Sequence, residues 1–95
     1  MINDQQKDII IKELAPFHPN SIGIFGSYAR NENNNDSDID ILVSFGTEIT
    51  LFDIIGIEME LADKLGIKVD LVTERSLSKK IAQMVHQYTK YIYKT

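Results

Sequence analysis

Three apolar runs, each too short for a helix, set the architecture: Ser21-Ile22-Gly23-Ile24-Phe25, Asp38-Ile39-Asp40-Ile41-Leu42-Val43-Ser44-Phe45, and Ile67 to Val72. The second and third alternate in character with period two, and all three read as strands. Segments of helical spacing lie around them. Asp4 to Ala15 carries Ile9, Ile10, Leu14 and Ala15 among charged neighbours, with Asn3 and Gln6 as a capping pair and Pro16 and Pro19 as stops. Thr50 and Asp53 form a capping box for a helix from Leu51 to Leu65, ended by Gly66. A short helix is expected from Ser27 to about Arg30. Ser76 is placed to cap a last helix in which Leu77, Ile81, Met84, Val85 and Tyr88 recur at helical spacing. The expected fold is α/β (α+β): a small mixed sheet of three or more strands with about four helices packed on it, the first two strands antiparallel. The tail, Tyr91 to Thr95, suits a frayed helix or an added strand.

A length of 95 residues predicts one domain, spanning 1–95. Ten basic against fourteen acidic side chains leave a net charge of −4, which argues against direct nucleic-acid binding. With no cysteine there is no disulfide framework, thiolate zinc site or cysteine nucleophile. His18 and His86 lie too far apart in sequence to suggest a histidine metal cluster, so any metal is expected on oxygen ligands. No apolar run approaches the ~20 residues of a membrane helix, and Met1-Ile2-Asn3-Asp4 does not open a signal peptide. A cytoplasmic location is expected.

Chemistry concentrates in three carboxylates and one glycine turn. Asp38 and Asp40 share a strand face at a spacing of about 6.6 Å. Asp70 lies on another strand among Val69, Leu71 and Val72, where a lone carboxylate is costly to bury. If the strands are neighbours, the three acids converge, and such a cluster repels itself unless hard divalent cations neutralise it. Taken alone, an Asp-x-Asp pair does no more than face water on a strand edge. The second feature is Gly26-Ser27-Tyr28-Ala29-Arg30, between a strand and the expected short helix. Gly26 lets backbone approach a ligand, Ser27 adds a hydroxyl donor beside the helix amides, and Arg30 can steady a phosphate or pair with an aspartate. The Walker spacing is absent. By itself this is also a plain strand-to-helix turn.

Gly26-Ser27-Tyr28-Ala29-Arg30, then Ser37-Asp38-Ile39-Asp40, then Asp70 on a later strand together resemble the nucleotidyltransferase fold of the DNA polymerase β superfamily. More narrowly, the chain is similar to the minimal nucleotidyltransferases that accompany HEPN-domain proteins. The resemblance spans roughly Ile22 to Val72; one departure is Asn31, where many relatives carry glycine after the arginine. It implies that Gly26 and Ser27, with Arg30 nearby, hold the triphosphate of ATP. It also implies that Asp38 and Asp40 coordinate two Mg2+ ions, and that Asp70 completes the metal site and orients or deprotonates the attacking hydroxyl. The implied partner is a cognate HEPN ribonuclease toxin whose tyrosine receives AMP, the chain being a type VII antitoxin in a hetero-oligomer with it. The alternatives are an inert module of the same fold that neutralises the toxin by binding alone, and a nucleotidyltransferase acting on a small molecule such as an antibiotic.

Other features are less distinctive. Tyr88, Tyr91 and Tyr93 beside Lys90 and Lys94 suit amphipathic packing or a docking surface. The Leu51–Leu65 helix, apolar nearly all round and including Met59, suits core or oligomer contact. Arg75, Lys79 and Lys80 suit a solvated helix start or a phosphate contact, and His18 reads as surface.

Overall fold

A computed structural model describes residues 2–30, 32 and 37–95. Helix α1 runs Asp4–Leu14, opened by the reciprocal capping box of Asn3 and Gln6. Pro16 lies in the 3-10 turn Ala15–Phe17 that follows. Strand β1, Pro19–Phe25, pairs antiparallel with β2, Ile39–Phe45. Helix α2 runs Leu51–Leu65 between its predicted caps, Thr50 with Asp53 and Gly66. It carries the chain over to β3, Val69–Thr73, which lies parallel to β2, as a helical crossover permits. A second 3-10 turn, Glu74–Ser76, leads to α3, Lys79–Tyr88. The tail is a strand, β4, Lys90–Lys94, antiparallel to β1, and the sheet order is β3-β2-β1-β4.

Period-two alternation divides the sheet into two faces. Ile22, Ile24, Ile39, Ile41, Val43, Val69 and Leu71 face the core, where Ile10 and Leu14 of α1 and Ile57 and Leu61 of α2 cover them. Asp40 and Leu42 turn to the other face, where Leu42 is only 2% exposed. Gly23 faces that side too. A Cβ there would stand 2.3 Å from Thr89 Cγ2, so the absence of a side chain lets the α3–β4 connection lie close to β1.

The described residues hold three α-helices rather than about four. Residues 26–30 form a turn, in which Arg30 N–H donates to Gly26 O at 3.2 Å and Glu32 N–H to Ser27 O at 2.9 Å. One helical bond followed by a wider one does not meet the cost of nucleating a helix. The cap of α3 is Ser78, whose hydroxyl accepts from Ile81 N–H; Ser76 instead donates to Thr73 O. The polar run Asn31-Glu32-Asn33-Asn34-Asn35-Asp36, whose composition predicts a turn-forming loop, lies outside the described residues apart from Glu32.

Helix α3 buries no side chain, and Ile81, Met84 and Tyr88 of its apolar stripe are exposed. It is held by polar contacts: His86 Nε2 lies 2.7 Å from Glu74 Oε1, and His86 Nδ1 meets the Tyr91 hydroxyl. Helix α2 also shows a second apolar arc, Leu51, Phe52, Ile55 and Met59, to solvent. Among the described residues no helix is long and apolar enough to cross a membrane.

The Gly23 contact generates a stability test. Gly23→Ala should destabilise the chain by about 1–3 kcal/mol through overpacking against Thr89. Thr89→Ser removes Cγ2 while keeping the hydroxyl that donates to Val85 O at 2.6 Å. The double variant should therefore recover part of the loss in urea denaturation.

Candidate active site

The parallel register of β2 and β3 sets Asp40 directly beside Asp70. Asp38 stands two residues ahead of Asp40, on the same face by alternation, and its Oδ2 lies 3.8 Å from Lys68 Nζ. Asp40 is half-buried and Asp70 is exposed. Burial, and then the charges of Asp70 and Asp38, push the Asp40 carboxyl above the ordinary aspartate value of 3.8; Arg30 opposes the rise. The charges of Asp38 and Asp70 therefore both act on Asp40. They do not close into a cage: among the described residues, no three His, Cys, Asp or Glu side chains are grouped to hold a metal ion.

Gly26 follows directly on β1, whose last residue, Phe25, pairs with Asp40. Its φ is +72°, and a Cβ on it would fall 2.1 Å from Asp40 Oδ2. Glycine is required here twice over, for the backbone angle and for the space the carboxylate occupies. Ser27 follows in the turn, partly exposed, and Tyr28 and Ala29 are buried. Tyr28 packs into the hydrophobic core and so anchors the turn beside the carboxylates. Because residues 26–30 are a turn, any anion would meet turn backbone and the Ser27 hydroxyl rather than the amides of a helix. Arg30 pairs with Glu32, Nε to Oε2 at 3.0 Å, and reaches Asp40 only through its field.

Sequence reasoning passed over several residues of this region. Lys68 lies two positions before Asp70, and strand alternation would have put it on the same face. Tyr28 is a large aromatic within a polar turn, a pattern that marks an anchor. Glu58 of α2 borders the apolar positions Ile54, Ile57 and Leu61, and its Oε2 accepts the Leu71 N–H at 2.7 Å. By contrast, Arg75 lines a cavity with Phe45, Thr47 and Thr73, at the other end of β2 from Asp38, while Lys79 and Lys80 are exposed. On the α3 side, Phe25, Gly26 and Arg30 form a groove of about 270 Å³ with Ile81, Met84, Val85 and Tyr88.

The raised Asp40 pKa has a sign that can be measured. Ionised Asp40 is more costly in the folded chain than in the unfolded one, so its contribution destabilises as pH rises from 3.8 through the raised value. In metal-free buffer Asp40→Asn should raise the thermal midpoint at pH 7. The gain should shrink to near zero below the ordinary aspartate range, where Asp40 is protonated in both states.

The profile of the nucleotidyltransferase domain family matches residues 7–92. The chain is 43% identical over 82 residues to the protein adenylyltransferase MntA of Thermococcus cleftensis, covering 85% of this chain and 83% of that protein. The fold matches a chain of a toxin–antitoxin crystal structure with AMP-PNP at a TM-score of 0.85 and 32% identity, over 94% of this chain and 73% of that one. It also matches a chain from the complex of a tri-AMPylated Shewanella oneidensis HEPN toxin with its MNT antitoxin, at a TM-score of 0.80 and 29% identity over 99% and 74%. With its matched profile, its relative and its paired strand carboxylates beside a glycine turn, the chain belongs to the nucleotidyltransferase domain family.

Proposed function

We propose that this protein is a magnesium-dependent adenylyltransferase that moves AMP from ATP onto a tyrosine of a HEPN toxin and so serves as its antitoxin. The observation that carries the reading is Asp40 in register with Asp70, with Asp38 adding its charge, directly against the Gly26 backbone. The relatives support it: one is a protein adenylyltransferase, one matched complex holds AMP-PNP, and another holds an AMPylated HEPN toxin.

The donor set fits magnesium. It is all carboxylate oxygen, and like charges raise the Asp40 pKa in a way a hard cation would relieve. Magnesium binds through one or two carboxylates plus substrate phosphates and waters, so it does not need a closed protein cage. Asp38, Asp40 and Asp70 are the residues that would hold two such ions, which when bound supply neutralising charge for the phosphates and the departing pyrophosphate. The Gly26 backbone and the Ser27 hydroxyl bind the triphosphate, and Arg30 lies close enough to add positive charge. Asp70 orients the tyrosine hydroxyl and accepts its proton. The tyrosine oxygen bonds to the α-phosphorus as the bond from that phosphorus to the bridging oxygen breaks, giving AMP-tyrosine and pyrophosphate. The added phosphate sets an anion where the toxin would meet RNA, which opposes RNA binding by charge alone.

The test uses ATP labelled at the α-phosphate, magnesium and the HEPN partner. Label should appear on a partner tyrosine, and Asp38→Ala with Asp40→Ala should lower transfer by about 10³-fold or more. If the double variant still neutralises the toxin although no label is transferred by either protein, the chain acts as a binding module and the adenylyltransferase reading fails.

A further inference from the structure

Asp70 lies on the outer strand of the sheet, because the order is β3-β2-β1-β4. Such a strand is paired on one side only, and its outward N–H and C=O groups are open. In a parallel pair, alternate residues turn their backbone groups toward the neighbour. Lys68 gives its carbonyl to Ile39 N–H at 2.9 Å. By alternation Asp70 also faces β2, while Val69, Leu71 and Thr73 direct their backbone groups outward. The Leu71 N–H is nevertheless occupied by the Glu58 carboxylate at 2.7 Å. Glu58 is half-buried on α2, one residue beyond Ile57 and three before Leu61, both of which are buried in the core.

This contact reaches the candidate site through one peptide. The Leu71 N–H belongs to the same planar group as the Asp70 carbonyl, and in a trans peptide the two point in opposite directions. Strand β2 therefore holds that plane from one side and Glu58 from the other. We propose that Glu58 is a positioning residue for Asp70. Its carboxylate stops the edge strand from rotating or fraying at the peptide that carries the reactive side chain. A hydrogen bond to a charged acceptor is about twice as strong as a neutral one, which suits a strand with no second neighbour. The role rests on the adenylyltransferase reading for its chemistry, although the contact itself does not.

The experiment pairs amide hydrogen exchange on the full chain with steady-state AMP transfer, for Glu58→Ala, Glu58→Asp and Glu58→Gln. Glutamine keeps an acceptor oxygen at the same reach, whereas aspartate keeps the charge but draws the acceptor back. Alanine and aspartate should each lower Leu71 amide protection by about tenfold or more, with Leu42 and Ser44 of β2, whose backbone groups face β1, unchanged. They should lower kcat by about tenfold with the KM for ATP within about twofold, since Gly26 and Ser27 are untouched. Glutamine, a neutral acceptor at the same reach, should restore about half of both. If Leu71 loses protection while kcat holds, the positioning role is wrong. If protection falls equally throughout the sheet, Glu58 is only a stabilising residue and the proposal is equally overturned. A wild-type chain that transfers no AMP would defeat the adenylyltransferase reading. The exchange data would then decide the Glu58 contact separately: selective loss at Leu71 upholds the clamp and unchanged protection removes it.

Discussion

The parallel register of β2 on β3 places two like charges side by side, and the features around it accommodate that placement. Side chains facing one another across strands interact directly, and carboxylates so placed repel. Asp40 shows the effect in its raised pKa, to which its own burial contributes most. The cost is tempered by the field of Arg30, and Lys68 faces Asp38 at 3.8 Å. A hydrophobic pair in the same register would carry no such repulsion.

The rest of the molecule serves this arrangement by separating the faces of the sheet. One face carries the isoleucines, valines and leucines that α1 and α2 bury, and stability resides there. The other face keeps the carboxylates open. Packing α3 down over it would bury the acids, and this helix instead stands beside Gly26, tied by His86 to Glu74 and Tyr91. Gly23 and Gly26 occupy the two places where β1 must come close to that face without a side chain in the way. The buried Tyr28 links the faces, since it anchors the glycine turn in the core that the helices make.

Local chemistry explains which elements are legible in the sequence alone. Asn3 with Gln6, and Thr50 with Asp53, are pairings between residues three apart, and both form as capping boxes. The alternation of Ile39, Ile41 and Val43 against Asp40 is equally local, and it placed the acid on the face away from the core. The helix expected at Ser27 failed because a favourable start does not supply the bonds that propagate a helix. Ser76 and Ser78 are both plausible caps, and the choice went to Ser78 because Ser76 already bonds back to Thr73. The tail became a strand because β1 offered an unpaired edge, a long-range circumstance that its own five residues do not encode.

The chain by itself determined the first three strands, α1 and α2, and the joint pattern of Gly26, Ser27, Asp38, Asp40 and Asp70, because these depend on residue type and short spacing. Only the tertiary structure decided that Asp40 stands beside Asp70, that Gly26 makes room for the Asp40 carboxylate, and that Glu58 reaches the edge of β3. Those facts depend on strand order and register, which are set when α1 and α2 bury the isoleucine face. Burial of that face selects one pairing among several that the local patterns allow equally.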